Sequence, residues 1–150
     1  MDKHSVQIKA GQGYKVSVGS GLLTQCGQDL AALLPSRRIA IITDSTVEKL
    51  YLPAARSSLE QAGFQVSSFS FPAGESSKTI YTLAQILEFL AAQQLTRQDC
   101  LAALGGGVVG DITGFAAGCY LRGIHYVQDV YKRQFSRLQP FHLPESPGVG

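Results

Sequence analysis

The stretch from Leu101 to Ile124 reads Leu-Ala-Ala-Leu-Gly-Gly-Gly-Val-Val-Gly-Asp-Ile-Thr-Gly-Phe-Ala-Ala-Gly-Cys-Tyr-Leu-Arg-Gly-Ile. An apolar segment enters consecutive glycines and leaves through a small-residue run carrying one acid, Asp111. Gly105, Gly107 and Gly110 satisfy G-x-G-x-x-G, with a strand-like run before and a helix-like run after. Glycines let backbone turn tightly and approach a ligand with no Cβ in the way. A helix opening there points unpaired N–H groups and its positive dipole end at the turn. The chemistry this suits is the cradling of a phosphate; a tight turn serving only packing is the other reading. Two further polar clusters carry candidate chemistry: Asp44, which closes an apolar run, and Gly74-Glu75 to Lys78.

The surrounding pattern supplies elements to hold these groups. Ser5–Lys9 and Tyr14–Val18 alternate apolar and polar residues around Gly11-Gln-Gly13 and predict a hairpin. Gly21–Leu34 carries leucines at helical spacing and stops at Pro35. Arg38–Thr43 is continuously apolar, as expected of a strand covered on both faces, and ends at Asp44. Ser45-Thr-Val-Glu48 fits a capping box opening a short helix, and Pro53 suits the first turn of a second helix ending before Gly63. Phe64–Phe71 predicts a strand and Pro72–Lys78 a turn; Ile80, Leu83, Ile86, Leu87 and Leu90 then share one helical face. Cys100–Leu104 and Ile124–Gln128 complete the strands.

Strand–helix alternation of this kind predicts a Rossmann-like α/β fold, a mostly parallel sheet with helices on both faces. Ligands in such sheets sit at the carboxyl ends of strands. Thr43-Asp44, the Gly74–Lys78 turn and the glycine turn all fall there, which favours the ligand reading.

Composition narrows the field. A formal charge of +2 is too small for a nucleic-acid or membrane-surface footprint. Cys26, Cys100 and Cys119 lie in apolar contexts without a C-x-x-C pair and read as reduced core residues. No signal peptide is visible and no apolar run reaches membrane-spanning length, so a cytoplasmic protein is expected. His4, His125 and His142 show no ligand spacing and read as incidental. From Asp129 to Gly150 the text loses period and gains three prolines, as in a disordered tail.

From Ser5 to Gln128 the chain resembles 3-dehydroquinate synthase, a sugar-phosphate cyclase. The likeness rests on the Tyr14–Leu23 opening, Ile42-Thr-Asp-Ser, Leu59-Glu-Gln-Ala-Gly63, Pro72-Ala-Gly-Glu75 with Lys78, and above all Gly105–Gly123. It implies an NAD-binding α/β domain over residues 1–128. By this resemblance Asp44 meets the adenosine ribose, Glu75 and Lys78 belong to a loop over the cofactor, and Gly106, Gly107 and Val108 donate to the pyrophosphate. Asp111 reaches cofactor hydroxyls near the nicotinamide. Arg122 crosses a homodimer interface to the phosphate of the neighbouring substrate, a role its forked guanidinium suits. Bland alternatives stay open: a helix cap for Asp44, solvated charge for Glu75 and Lys78, an exposed structural arginine for Arg122.

The implied reaction converts 3-deoxy-D-arabino-heptulosonate 7-phosphate to 3-dehydroquinate and phosphate in the shikimate pathway, with catalytic NAD and a divalent metal, zinc or cobalt. The family's metal ligands belong to a C-terminal helical domain that is not recognisable in this text, so the 150-residue chain alone is expected to be inactive. Ala73 stands where many members carry an acid. Asp129–Gly150 lacks the family's continuation and reads as a truncation or frameshift product. A related cyclase, a polyol dehydrogenase and a non-catalytic NAD-binding module are the alternative readings.

Overall fold

The computed structural model describes residues 27–130. The N-terminal hairpin, Cys26, His4, His142 and the segment beyond residue 130 lie outside the described residues.

Four parallel strands form one sheet in the order β2-β1-β3-β4: β1 Arg38–Asp44, β2 Gln65–Phe71, β3 Cys100–Gly105 and β4 His125–Val130. Ile39–Thr43 pair in register with Cys100–Leu104, and Cys100–Gly105 with His125–Val130. The helices are α1 Gly27–Leu33, α2 Ser45–Gln61, α3 Ile80–Ala92 and α4 Gly107–Cys119. The fold is therefore the expected Rossmann-like one. β4 runs two residues past the expected Gln128.

Alternation along each strand builds two cores. Ile39, Ile41, Cys100, Ala102 and Val127 face one side, under α1 and α2. Ala40, Ile42, Leu101, Ala103 and Tyr126 face the other, under α3 and α4. The second face carries alanines where α4 lies close. At Gly110 of α4 a Cβ would collide with the Gln128 amide on β4, so glycine lets that side chain lie against the helix as it does.

Three expectations are corrected. Residues 45–61 form one helix, not two, with Pro53 inside it. Leu52, Ala55 and Leu59 line one buried face that runs through the proline, and their burial outweighs the local helix penalty of about 3 kcal/mol. Ile80, the first residue of α3, is 79% exposed; Ile86 and Leu90 are the buried positions. Cys119, the last residue of α4, is exposed, whereas Cys100 is buried in β3 and its thiol is pushed up in pKa by that burial.

Candidate functional site

The strand order reverses between β1 and β3, where α2 and α4 leave the sheet toward opposite faces. Open α/β sheets form a ligand crevice at such a point. Thr43 Oγ1 donates to the Leu104 carbonyl at 2.8 Å, tying the two carboxyl ends together.

Asp44 ends β1 and caps α2. Its Oδ1 accepts from the backbone N–H groups of Thr46 (2.9 Å) and Val47 (2.8 Å). The expected capping box at Ser45 and Glu48 does not form. Ser45 Oγ accepts instead from the Ala73 N–H at 3.0 Å, and Glu48 accepts from the Ser70 hydroxyl at 3.0 Å. Asp44 is an equally good cap, so both residues are released to bind β2 and the loop after it. The cap orients the carboxylate and uses one oxygen; Oδ2 has no partner among the described residues.

The turn from β3 into α4 carries no side chain into the crevice. Gly105 adopts φ +153, and Gly106 is the N-cap with no side-chain bond. A Cβ placed at Gly106 or Gly107 would meet nothing within 4 Å, so the backbone there is open to a ligand. Helical bonding begins with the Gly110 N–H on the Gly106 carbonyl at 3.0 Å. The N–H groups of Gly107, Val108 and Val109 therefore lack an acceptor among the described residues.

The loop between β2 and α3 closes the third side. Gly74 has φ +116, and Glu75–Ser77 form one 3₁₀ turn. Buried Ser77 donates to the Pro72 carbonyl at 2.6 Å and holds the turn shut. Lys78 Nζ then reaches Asp111 Oδ2 on α4 at 3.0 Å. That bond, and after it the Asp111 charge, raises the Lys78 pKa. Both side chains remain about half exposed. The pair stands at the rim of a cleft of about 390 Å³ between α3 and α4, lined with Ile80, Leu83, Ile112 and Phe115. The Glu75 carbonyl accepts from the Lys78 N–H at 3.0 Å, while its side chain is exposed and makes no bond among the described residues.

The structure thus gathers Asp44, Lys78, Gly106, Gly107, Val108 and Asp111 around one crevice, with Glu75 on the adjoining loop. Arg122 is not among them. It lies past the far end of α4, about 20 Å away at roughly 1.5 Å per helical residue. There Tyr120–Arg122 form a 3₁₀ turn with Leu121 at φ +51, Arg122 at φ +67 and Gly123 at φ +119. Arg122 is exposed and unbonded among the described residues. Ser45, expected in a capping box, instead ties the loop to α2 through its hydroxyl, a role that only tertiary contact reveals. No three His, Cys, Asp or Glu side chains come together as a metal-ligand group among the described residues.

An open parallel sheet with an anion-receptive glycine turn at its reversal point defines a Rossmann-like α/β domain. Residues 68–130 match the family described as 3-dehydroquinate synthase N-terminal. A 3-dehydroquinate synthase from Streptococcus pneumoniae (strain ATCC 700669 / Spain 23F-1) is 48% identical over 115 residues, covering 77% of this chain and 32% of the relative. That of Paracoccus denitrificans (strain Pd 1222) is 43% identical over 129 residues, covering 85% and 35%. Among solved structures, 2-epi-5-epi-valiolone synthase from Streptomyces hygroscopicus subsp. jinggangensis 5008, with NAD+ and Zn2+ bound, superposes with a TM-score of 0.64 at 32% identity, over 75% of this chain and 31% of that one. The chain belongs to the sugar-phosphate cyclase family, and residues 68–130 are similar to the N-terminal part of the 3-dehydroquinate synthases. It spans about a third of the length of the curated relatives it matches.

Proposed function

We propose that residues 1–128 form the NAD-binding domain of a 3-dehydroquinate synthase, with the dinucleotide lying across the carboxyl ends of β1 and β3. The observation that carries this is the open Gly106–Gly107 turn with three adjacent N–H groups lacking acceptors, beside a carboxylate that keeps one oxygen free. The pyrophosphate would accept from Gly107 and Val108 at the start of α4, where the helix dipole favours an anion, with Gly106 leaving the approach clear. Asp44 Oδ2 would accept from the adenosine ribose hydroxyls. Its charge disfavours a 2′-phosphate, so NAD is preferred to NADP.

Toward the nicotinamide end, Asp111 would accept from cofactor hydroxyls, held in place by Lys78. Glu75 sits on the same loop and borders the cofactor. NAD would supply reversible hydride acceptance in the conversion of the heptulosonate phosphate to 3-dehydroquinate. The described residues hold no group of side chains fitted to a divalent metal. Arg122, exposed far from this crevice, would serve the phosphate site of a second copy in a homodimer. Support for dehydroquinate over a sister cyclase product comes from identity: 43–48% to relatives named for it, against 32% to the valiolone synthase.

Calorimetric titration of NAD and NADP into the chain tests the reading. Saturable NAD binding, weakened by Asp44→Asn with a narrowed preference over NADP, is expected. Absence of NAD binding by the folded chain, or equal affinity for NADP, refutes it.

A further inference from the structure

β4 turns Tyr126 and Gln128 toward α4, since side chains two apart share a face of the sheet. Tyr126 serves the fold: its hydroxyl donates to the Gly110 carbonyl at 3.0 Å. Gln128, paired in register with Ala103, stands about 7 Å further along the strand, toward the crevice. It is 9% exposed, and its amide makes no hydrogen bond among the described residues. That amide is not sealed in. Among the described residues, Thr113 Oγ1 and His125 Nδ1 are the side-chain atoms that lack both a partner and contact with solvent, and neither atom of the Gln128 amide joins them.

The Gln128 amide nitrogen occupies the place that a Cβ on Gly110 would take. A helical Cα–Cβ bond tilts toward the N-terminus, so this nitrogen lies on the side of Gly110 that faces the glycine turn. A nearly buried amide without partners costs about 1–3 kcal/mol, a cost relieved when a ligand takes up its donor and its acceptor.

The layout of the crevice points to the ligand group. On the cofactor reading above, on which this inference rests, the adenosine ribose lies at Asp44 after β1 and the pyrophosphate at Gly107 and Val108 after β3. β4 is the next strand, on the side of β3 away from β1, so the nicotinamide half continues over its carboxyl end. A pyrophosphate oxygen only accepts, whereas a carboxamide both donates and accepts and matches a glutamine amide edge to edge.

We propose that Gln128 is a further cofactor-binding residue, its side-chain amide pairing with the carboxamide of the nicotinamide ring. Holding that carboxamide settles the rotation of the ring, so Gln128 orients it for hydride acceptance. Tyr126 ties β4 to α4 just below, and Gly110 leaves the amide its room.

Two ligands separate the nicotinamide end from the rest of the cofactor: NAD, and ADP-ribose, which lacks the ring and its carboxamide. In calorimetric titrations Gln128→Met, close to glutamine in size and without an amide, should weaken NAD by about tenfold and ADP-ribose by less than about twofold. In the ¹⁵N-labelled parent chain, the Gln128 side-chain amide resonance should move on saturation with NAD and not with ADP-ribose. Equal weakening of the two ligands, or undiminished NAD binding by folded Gln128→Met, overturns the pairing. Should Gln128→Met not fold, the resonance decides: a shift confined to NAD supports the pairing, and the same response to both ligands, or to neither, overturns it. A parent chain that binds neither ligand overturns the cofactor reading and this inference with it. Binding of both without any effect at Gln128 overturns this inference alone.

Discussion

Two aspartates at opposite ends of the sheet show how this domain divides its polar groups. Asp99, just ahead of β3, is 4% exposed, and both of its oxygens are occupied. It accepts from the Ser36 hydroxyl at 2.6 Å, the Thr96 N–H at 2.8 Å and Arg38 Nη1 at 3.2 Å. Arg38 in turn donates to the Gln93 and Gln94 carbonyls at the end of α3, where a cation suits the helix dipole. Asp44, at the far end of β1, caps α2 with one oxygen and leaves the other without a partner. One carboxylate is consumed by the fold. The other is fixed in place by the fold and still available to a ligand.

Replacing Asp99 separates these roles most sharply. Asp99→Ala leaves Arg38, Ser36 and Thr96 without their acceptor, and urea denaturation should show a loss of about 2–4 kcal/mol. The value falls below that of a fully buried pair because Arg38 keeps 36% of its side chain in solvent. NAD affinity should be unchanged wherever the variant is folded. Asp44→Ala should do the reverse: a stability loss of about 1 kcal/mol for the cap, with NAD binding weakened about tenfold or more. Equal effects of the two variants on NAD would end the distinction.

Adjacent glycines sharpen it further. Gly105 has φ +153, and a Cβ there would meet Val109 Cγ2 at 2.9 Å. Gly105→Ala should cost about 1–3 kcal/mol by thermal or chemical melting. Gly107→Ala, facing open space, should leave stability within about 1 kcal/mol while weakening NAD, because the added methyl enters the cofactor's path. A Gly107→Ala variant that binds NAD normally would move the pyrophosphate away from this turn.

Much of this was legible in the chain. Three features lay at strand ends, and local pattern alone located them: the apolar run into Asp44, the Gly74–Lys78 turn and the triple glycine. Pro53 was misleading because local helix preference opposes what burial of Leu52, Ala55 and Leu59 enforces. The Ser45–Ala73 bond and the Asp99 latch were invisible for another reason. Each joins residues 28 to 63 positions apart, through hydroxyls and carboxylates that local pattern assigns to caps or solvent. His125 reads as incidental in the sequence, and the burial of its unpartnered Nδ1 is a property of packing alone. Ile80 failed in the opposite sense: helical spacing gave it a core position, but as the first residue of its helix it is left exposed.

The Lys78–Asp111 pair should produce the smallest effect, and its size is informative. At 3.0 Å it joins the loop after Gly74 to α4, yet both side chains are about half exposed, so water screens it. Lys78→Met should lower stability by less than about 1 kcal/mol. The pH dependence follows from the direction of the shift. The Lys78 pKa is raised above its ordinary 10.5, so the contribution is complete below that value and disappears as pH climbs through the raised one. The stability difference between the parent chain and Lys78→Met should thus be flat from about pH 7 to 9 and close only in strong alkali. NAD affinity should fall more than stability does, because the lysine's work is to hold Asp111 and the loop at the crevice. A variant that loses stability but binds NAD as before would make the pair a structural brace, like Asp99 and its partners at the other end.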